Sequence, residues 1–149
     1  MFFGPLNRVC YNSLVMIDTF LVPEKTVVTA KGDGPALDVS GAANRTLLLT
    51  LQITGIIEQE SIDVSVYGSA DGAAWSAKPL YKFPQKFYQG DHPALLDVPT
   101  DVKFLRAHWE VNRWGRGTET PHFEFHVSAK EVPADILSEA AIRSKALIG

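Results

Sequence analysis

Apolar and polar side chains alternate along most of this chain, and a period of two places successive side chains on opposite faces of a strand. In "RTLLLTLQITGI", Leu47, Leu49, Leu51 and Ile53 fall on one side and Leu48, Thr50, Gln52 and Thr54 on the other, which predicts a half-buried strand. "IDVSVYG" repeats the pattern with Ile62, Val64 and Val66 inward and Asp63, Ser65 and Tyr67 outward. "VKFLRAHWEVNRW" sets Leu105, Ala107, Trp109 and Val111 against Phe104, Arg106, His108, Glu110 and Asn112, and "HFEFHVSA" sets Phe123, Phe125 and Val127 inward. These last two runs are joined by the glycine-rich "GRGTETP" and so predict a hairpin with a longer loop.

Upstream, "SLVMIDTFLV", "KTVVTA" and "ALDVS" are further strand candidates, separated by Pro23, by "KGDGP" and by "SGAAN". Strands spaced roughly 8 to 12 residues apart, with no helical pattern between them, point to a sandwich or barrel and not to a βαβ fold. The tail "EVPADILSEAAIRSKALIG" differs. Pro133 and Asp135 suit the first turn of a helix, Arg143 and Lys145 suit its last turn, and Ile136, Leu137, Ala140, Ala141, Ser144, Leu147 and Ile148 form a stripe. The expected architecture is an all-β antiparallel β-sandwich, jelly-roll-like, at residues 36–132. An N-terminal extension over 1–35 contributes one or more strands, and a short amphipathic C-terminal α-helix covers 133–149.

With 149 residues the chain fits one domain, and 46% apolar and 21% charged residues are ordinary for a globular protein. A formal charge of −3 with the two signs interspersed supplies no broad basic surface, so nucleic acid is not an expected partner. Cys10 is the only cysteine, which removes any intrachain disulfide or multi-cysteine metal site and fits a reducing compartment. The first residues, "MFFGPLNRVCYNSLVMIDTFLVP", lack a basic n-region and a small-x-small cleavage site, and are expected to belong to the mature protein. No continuous apolar run reaches the length of a membrane span, so neither a membrane partner nor a membrane role is expected.

The stretch "VYGSADGAAW" places Asp71 and Gly72 between β-like runs, the signature of a two-residue type I′ turn. It predicts that Trp75, opening the next strand, packs in the core or caps a sheet edge. The longer phrase "VSVYGSADGAAW", followed by "VKFLRAHWEV", resembles discoidin-type, galactose-binding-like β-sandwiches, in which a strand enters a Ser-x-Asp-Gly-x-x-Trp turn and a later strand pairs an aromatic or aliphatic residue with arginine. It is also similar to small β-sandwich proteins of tailed phages and of uncharacterised bacterial families. The likeness spans about Leu37 to Val132 and implies a fold topology, with glycan binding as its functional corollary.

Candidate chemistry falls on outward positions. In the expected hairpin, Arg106, His108 and Glu110 would share a face with His122, Glu124 and His126, so His108, Glu110 and His126 form a candidate zinc-type metal set. Trp114 and Arg116 lie in the "NRWGRGTETP" loop, and tryptophan and arginine are enriched at interface hot spots. Tyr88 belongs to the aromatic segment "YKFPQKFYQGDHP". No Walker or Rossmann glycine loop, His-Glu-x-x-His or Gly-x-Ser-x-Gly is present, and no cofactor is expected.

The leading expectation is a non-catalytic structural component, self-assembling or virion-like, cytoplasmic or in a virion, acting through a second copy or a protein partner. Its contacts would be Phe2, Phe3, Leu6, Trp114, Arg116, Ile136 and Leu147. A carbohydrate-binding module using Trp75, Tyr88 and Trp114 is the alternative, and a metal-dependent enzyme using the histidine and glutamate set is the third.

Overall fold

The computed structural model describes residues 17–42, 44–57, 59–114 and 120–133, and within them the chain is all-β. The strands are β1 (Asp18–Val28), β2 (Gly32–Asp33), β3 (Leu37–Asp38), β4 (Thr46–Ile56), β5 (Glu60–Ser69), β6 (Tyr81–Lys82), β7 (Gly90–Asp97), β8 (Phe104–Arg113) and β9 (Phe123–Glu131). They form two antiparallel sheets, a first in the order β1-β9-β4-β7 and a second in the order β2-β8-β5-β6, with β3 also pairing with β8. β2 and β3 together make one interrupted edge. Counting them as one strand, the first pairs with the last, the second with the next to last, and so inward to β5 with β6. That nested order is the winding of a jelly roll.

The predicted inward faces are the core. Leu47, Leu49, Leu51, Ile53, Ile62, Val64, Val66, Leu105, Ala107, Phe123, Phe125 and Val127 are all fully or almost fully buried. Across the interior the Trp109 and Phe125 rings meet edge to face at 5.5 Å, joining one sheet to the other. The Trp109 indole N–H donates to the Ala30 carbonyl at 3.2 Å, so its one polar atom is satisfied.

The structure departs from the expected pattern at three places. β8 and β9 are not a hairpin: β8 pairs with β5, β2 and β3, whereas β9 lies between β1 and β4 in the other sheet. Both strands turn an apolar face to the core, and in a sandwich two such strands can oppose each other through the interior as well as lie side by side. Pro23 does not separate two strands but sits within β1, at a sheet edge where the missing N–H costs no ladder bond. The register slips between Phe20 and Val22 and again before Thr26; Lys25 takes a φ of 63° and the Thr26 hydroxyl donates to the Pro23 carbonyl at 2.6 Å. The Asp71-Gly72 stretch is not a two-residue turn either, since Gly72 has positive φ and Asp71 does not. Residues 18–33 of the expected N-terminal extension supply β1 and β2, and the tail predicted to be helical lies outside the described residues after Pro133.

Two carboxylates are buried where the alternation calls for apolar residues. Glu60 accepts the Ile57 amide at 2.9 Å and the His122 amide at 2.6 Å. Glu131 accepts the Ile17 amide at 3.0 Å, and the Asn44 amide and side chain at 2.7 and 2.8 Å. Each is 1% exposed and closes a sandwich end by satisfying backbone donors that would otherwise be buried unpaired.

Candidate functional site

The outer face of the second sheet carries a cluster of polar and aromatic side chains. Even-numbered residues of β8 and odd-numbered residues of β5 project there, and the register sets Tyr67 opposite Arg106, Ser65 opposite His108 and Asp63 opposite Glu110. Short flanking strands extend one row on both sides, since Asp33 of β2 lies opposite His108 and Lys82 of β6 opposite Ser65. Asp33 reaches its place because Gly32 lies under the Trp109 indole, where an added Cβ would stand 3.2 Å from the ring nitrogen.

The loop after β5 builds one wall of this face. The Ser69 hydroxyl accepts the amides of Asp71 and Gly72 at 3.2 and 2.8 Å and donates to the Asp71 carboxylate at 3.0 Å. That carboxylate also accepts the amides of Ala73 and Ala74 at 2.9 and 3.0 Å. The amides of Ala74 and Ala73, then the Ser69 hydroxyl, hold the Asp71 carboxyl below its ordinary value. Gly72 has a φ of +82°, while Lys25 and Gln59 are the only described non-glycine residues with positive φ. The type I′ turn needs positive φ at both central residues, so side-chain hydrogen bonds shape a wider loop in its place. Ser69 and Trp75 then bridge as antiparallel partners. The tryptophan does not enter the core. It lies on the outer face with the Arg106 guanidinium carbon 4.5 Å from its ring centroid, a cation–π contact.

Between these walls is a groove of ≈ 360 Å³ lined by Asp33, Tyr67, Trp75, Ser76, Arg106 and His108. A second depression of ≈ 240 Å³ adjoins it, shares Tyr67 and His108, and continues to Asp63, Lys82 and Glu110. His108 forms the ridge between them. Its Nδ1 lies 2.9 Å from Asp33 Oδ1 and its Nε2 3.2 Å from Glu110 Oε2, so carboxylates on both sides fix the ring plane. Tyr67 meets the same ring edge to face at 6.0 Å. Arg106 Nε is enclosed, makes no hydrogen bond, and stands 3.8 Å from Asp33 Oδ1, within ion-pair range but beyond hydrogen-bond range.

The expected metal set does not assemble. His108 and Glu110 meet, but His126 projects from β9 on the opposite outer face, where its Nε2 lies 2.6 Å from Gln52 Oε1 and its ring meets Phe20 at 5.6 Å. The cause is the placement of β8 and β9 in different sheets. Among the described residues, no group of three or more histidines, cysteines or carboxylates is arranged to hold a metal.

Trp75 lines the groove, while Tyr88 and Trp114 are both 54% exposed elsewhere. Tyr88 packs against His92 at 5.5 Å and Trp114 against Phe87 at 6.3 Å. Phe2, Phe3, Leu6, Arg116, Ile136 and Leu147 lie outside the described residues. Asp33, Tyr67, Ser76 and Lys82 join the site without having been singled out. Tyr67 and Arg106 had the right phase for it, but only strand pairing could bring Asp33 and Lys82 to them. No helix among the described residues is long and apolar enough to cross a membrane. No protein-family model matches the chain, and no curated protein is significantly similar to it.

Proposed function

We propose that the chain is a saccharide-binding module that binds through the outer face of its second sheet without transforming its ligand. The observation that carries this reading is the groove in which Asp33, Arg106 and His108 lie beside the Trp75 and Tyr67 rings. Asp33 is exposed and offers a carboxylate acceptor to the groove, while the Arg106 guanidinium lies under the Trp75 ring with its Nε enclosed. A ligand hydroxyl that donates to the Asp33 carboxylate would make a charge-assisted hydrogen bond. A ligand with many hydroxyls and an apolar ring face matches floor and walls together. The resemblance of "VSVYGSADGAAW" to galactose-binding-like sandwiches supports the same ligand class. Self-assembly or a virion-like role is the second reading; of its expected contacts Trp114 is exposed and the others lie outside the described residues.

The test is calorimetric titration of the full-length chain with neutral mono- and disaccharides of glucose, galactose, mannose and xylose. Saturable binding to at least one of them, lost or reduced about tenfold in both Asp33→Asn and Arg106→Gln, is expected. Binding to none of these nor to longer linear oligomers of them, or binding indifferent to both substitutions, overturns the reading.

A further inference from the structure

We propose that this face holds an extended neutral glycan chain along β8, with Trp75 and Trp114 at the two ends. The proposal rests on the saccharide reading and specifies the length and course of the ligand. The outward series of β8 runs Phe104, Arg106, His108, Glu110 and Asn112, and Trp114 continues its phase. From Arg106, under Trp75, to Trp114 the strand advances roughly 27 Å at about 3.4 Å per residue. That is far longer than one sugar ring.

The far end is built as well as the near one. Trp114 is tied to the sheet by its amide, which donates to the Gln59 carbonyl at 3.0 Å, and its ring meets Phe87 at 6.3 Å. Phe87 reaches it because its neighbour Lys86 pairs with Ile62 of β5, which extends the second sheet beyond β6. Both rings are more than half exposed, so they present apolar faces to solvent at the end of the track. Between the two aromatic ends most of the lining side chains are polar, with Tyr67 and Pro79 among them. Gln85 Nε2 lies 3.2 Å from both Ser61 Oγ and Asp63 Oδ2, and Glu110, Lys82 and Asn112 flank that pair.

Charge decides what kind of chain fits. The two depressions set three carboxylates, Asp33, Asp63 and Glu110, among two cations, Arg106 and Lys82. A polyanion would gain from two groups and lose to three, so nucleic acid or an acidic polysaccharide has no advantage here. A peptide strand would add to a sheet edge, whereas the polar track lies on a face, and the described edges of this sheet are strands of two residues. A neutral polymer with a hydroxyl-rich rim and apolar ring faces uses the whole track.

The experiment is calorimetry of the full-length chain against length series of linear cello-, manno-, xylo- and galacto-oligosaccharides, comparing wild type, Trp114→Ala, Phe87→Ala and Asp33→Asn. Affinity is expected to rise with chain length and then level off. Trp114→Ala and Phe87→Ala should each remove about tenfold from the long-chain affinity and leave the shortest binding sugar unchanged. Asp33→Asn should weaken every length alike. Affinity that does not grow with length, or a Trp114→Ala variant that binds long chains as wild type does, overturns the extended chain while the saccharide reading stands. Binding to no sugar of any length overturns both, as does concentration-dependent dimerisation lost in Trp114→Ala with no response to glycan, which gives this face to a second copy.

Discussion

The two outer faces of the sandwich each carry a histidine near the middle of a central strand, and the two histidines are treated differently. His126, on the first sheet, is held by a neutral amide and a phenylalanine edge. His108, on the second, stands between two carboxylates, against a tyrosine and beside an arginine that lies under a tryptophan. The first face is a strand surface with local pairings. The second has a loop folded over it, two short edge strands bringing in Asp33 and Lys82, and a floor of opposed charges. Alternation alone makes both faces polar. The second also gathers opposed charges, a tyrosine and a tryptophan around one groove.

The largest expected effect comes from removing what the two faces share. Trp109→Ala deletes the ring that contacts Phe125 across the core and covers Gly32 beneath Asp33, and should cost about 3–5 kcal/mol in urea unfolding. A loss near zero would mean that the sheets do not depend on that contact. Next is Glu60, which begins a strand of the second sheet and grips the His122 amide just before the central strand of the first. Glu60→Ala leaves two amides without their acceptor and should cost about 1–3 kcal/mol, with faster hydrogen exchange at Ile57 and His122.

The histidine pair tests the comparison itself. His108→Ala should weaken saccharide binding about tenfold, near 1.4 kcal/mol, whereas His126→Ala should leave affinity unchanged. Equal effects from the two would erase the distinction between the faces. Acid should separate them more gently. Asp71 has its carboxyl depressed in the folded chain, so its contribution is complete above the ordinary value of 3.8 and is lost as pH falls through the lower folded value. Titration followed by NMR should show the Ala73 and Ala74 amides shifting below pH 3.8, and Asp71→Asn should abolish that step. The smallest effect belongs to His92, whose proton affinity is lowered by burial and by Lys86, against a weaker opposing pull from Asp91. The unfolded chain binds that proton first, so stability should begin to decline as pH falls below 6.5, and His92→Gln should flatten the decline slightly.

Much of the sandwich was legible because its core follows a strict phase. Leu47 to Ile53, Ile62 to Val66 and Phe123 to Val127 all point as the alternation says. The same phase held an unread signal, since Glu60 precedes Ile62 and Glu131 follows Ala129 in the inward series, and an acid there must find buried donors. Strand partnership was not legible. The β8 and β9 runs satisfy a hairpin and a pair of opposed strands equally well, and choosing the hairpin placed His126 beside His108 when a whole sandwich separates them. For Trp75 the core alternative failed for a related reason. The Asp-Gly pair announces a turn, but the hydrogen bonds of Ser69 and Asp71 decide its width and turn the following ring outward. Asp33 looked like part of a glycine-rich spacer until β2 paired with β8.

The nested strand order also bears on how the chain is made. β9 is the penultimate strand of its sheet, flanked by β1 and β4, yet it leaves the ribosome after every other described strand. Until residue 131 has emerged, β1 has no neighbour in its sheet, and β4 offers one unpaired edge of hydrogen-bonding groups to whatever is nearby. Folding dominated by such distant pairings takes on the order of milliseconds to seconds. A nascent chain stalled before Phe123 therefore carries a sheet with its middle missing.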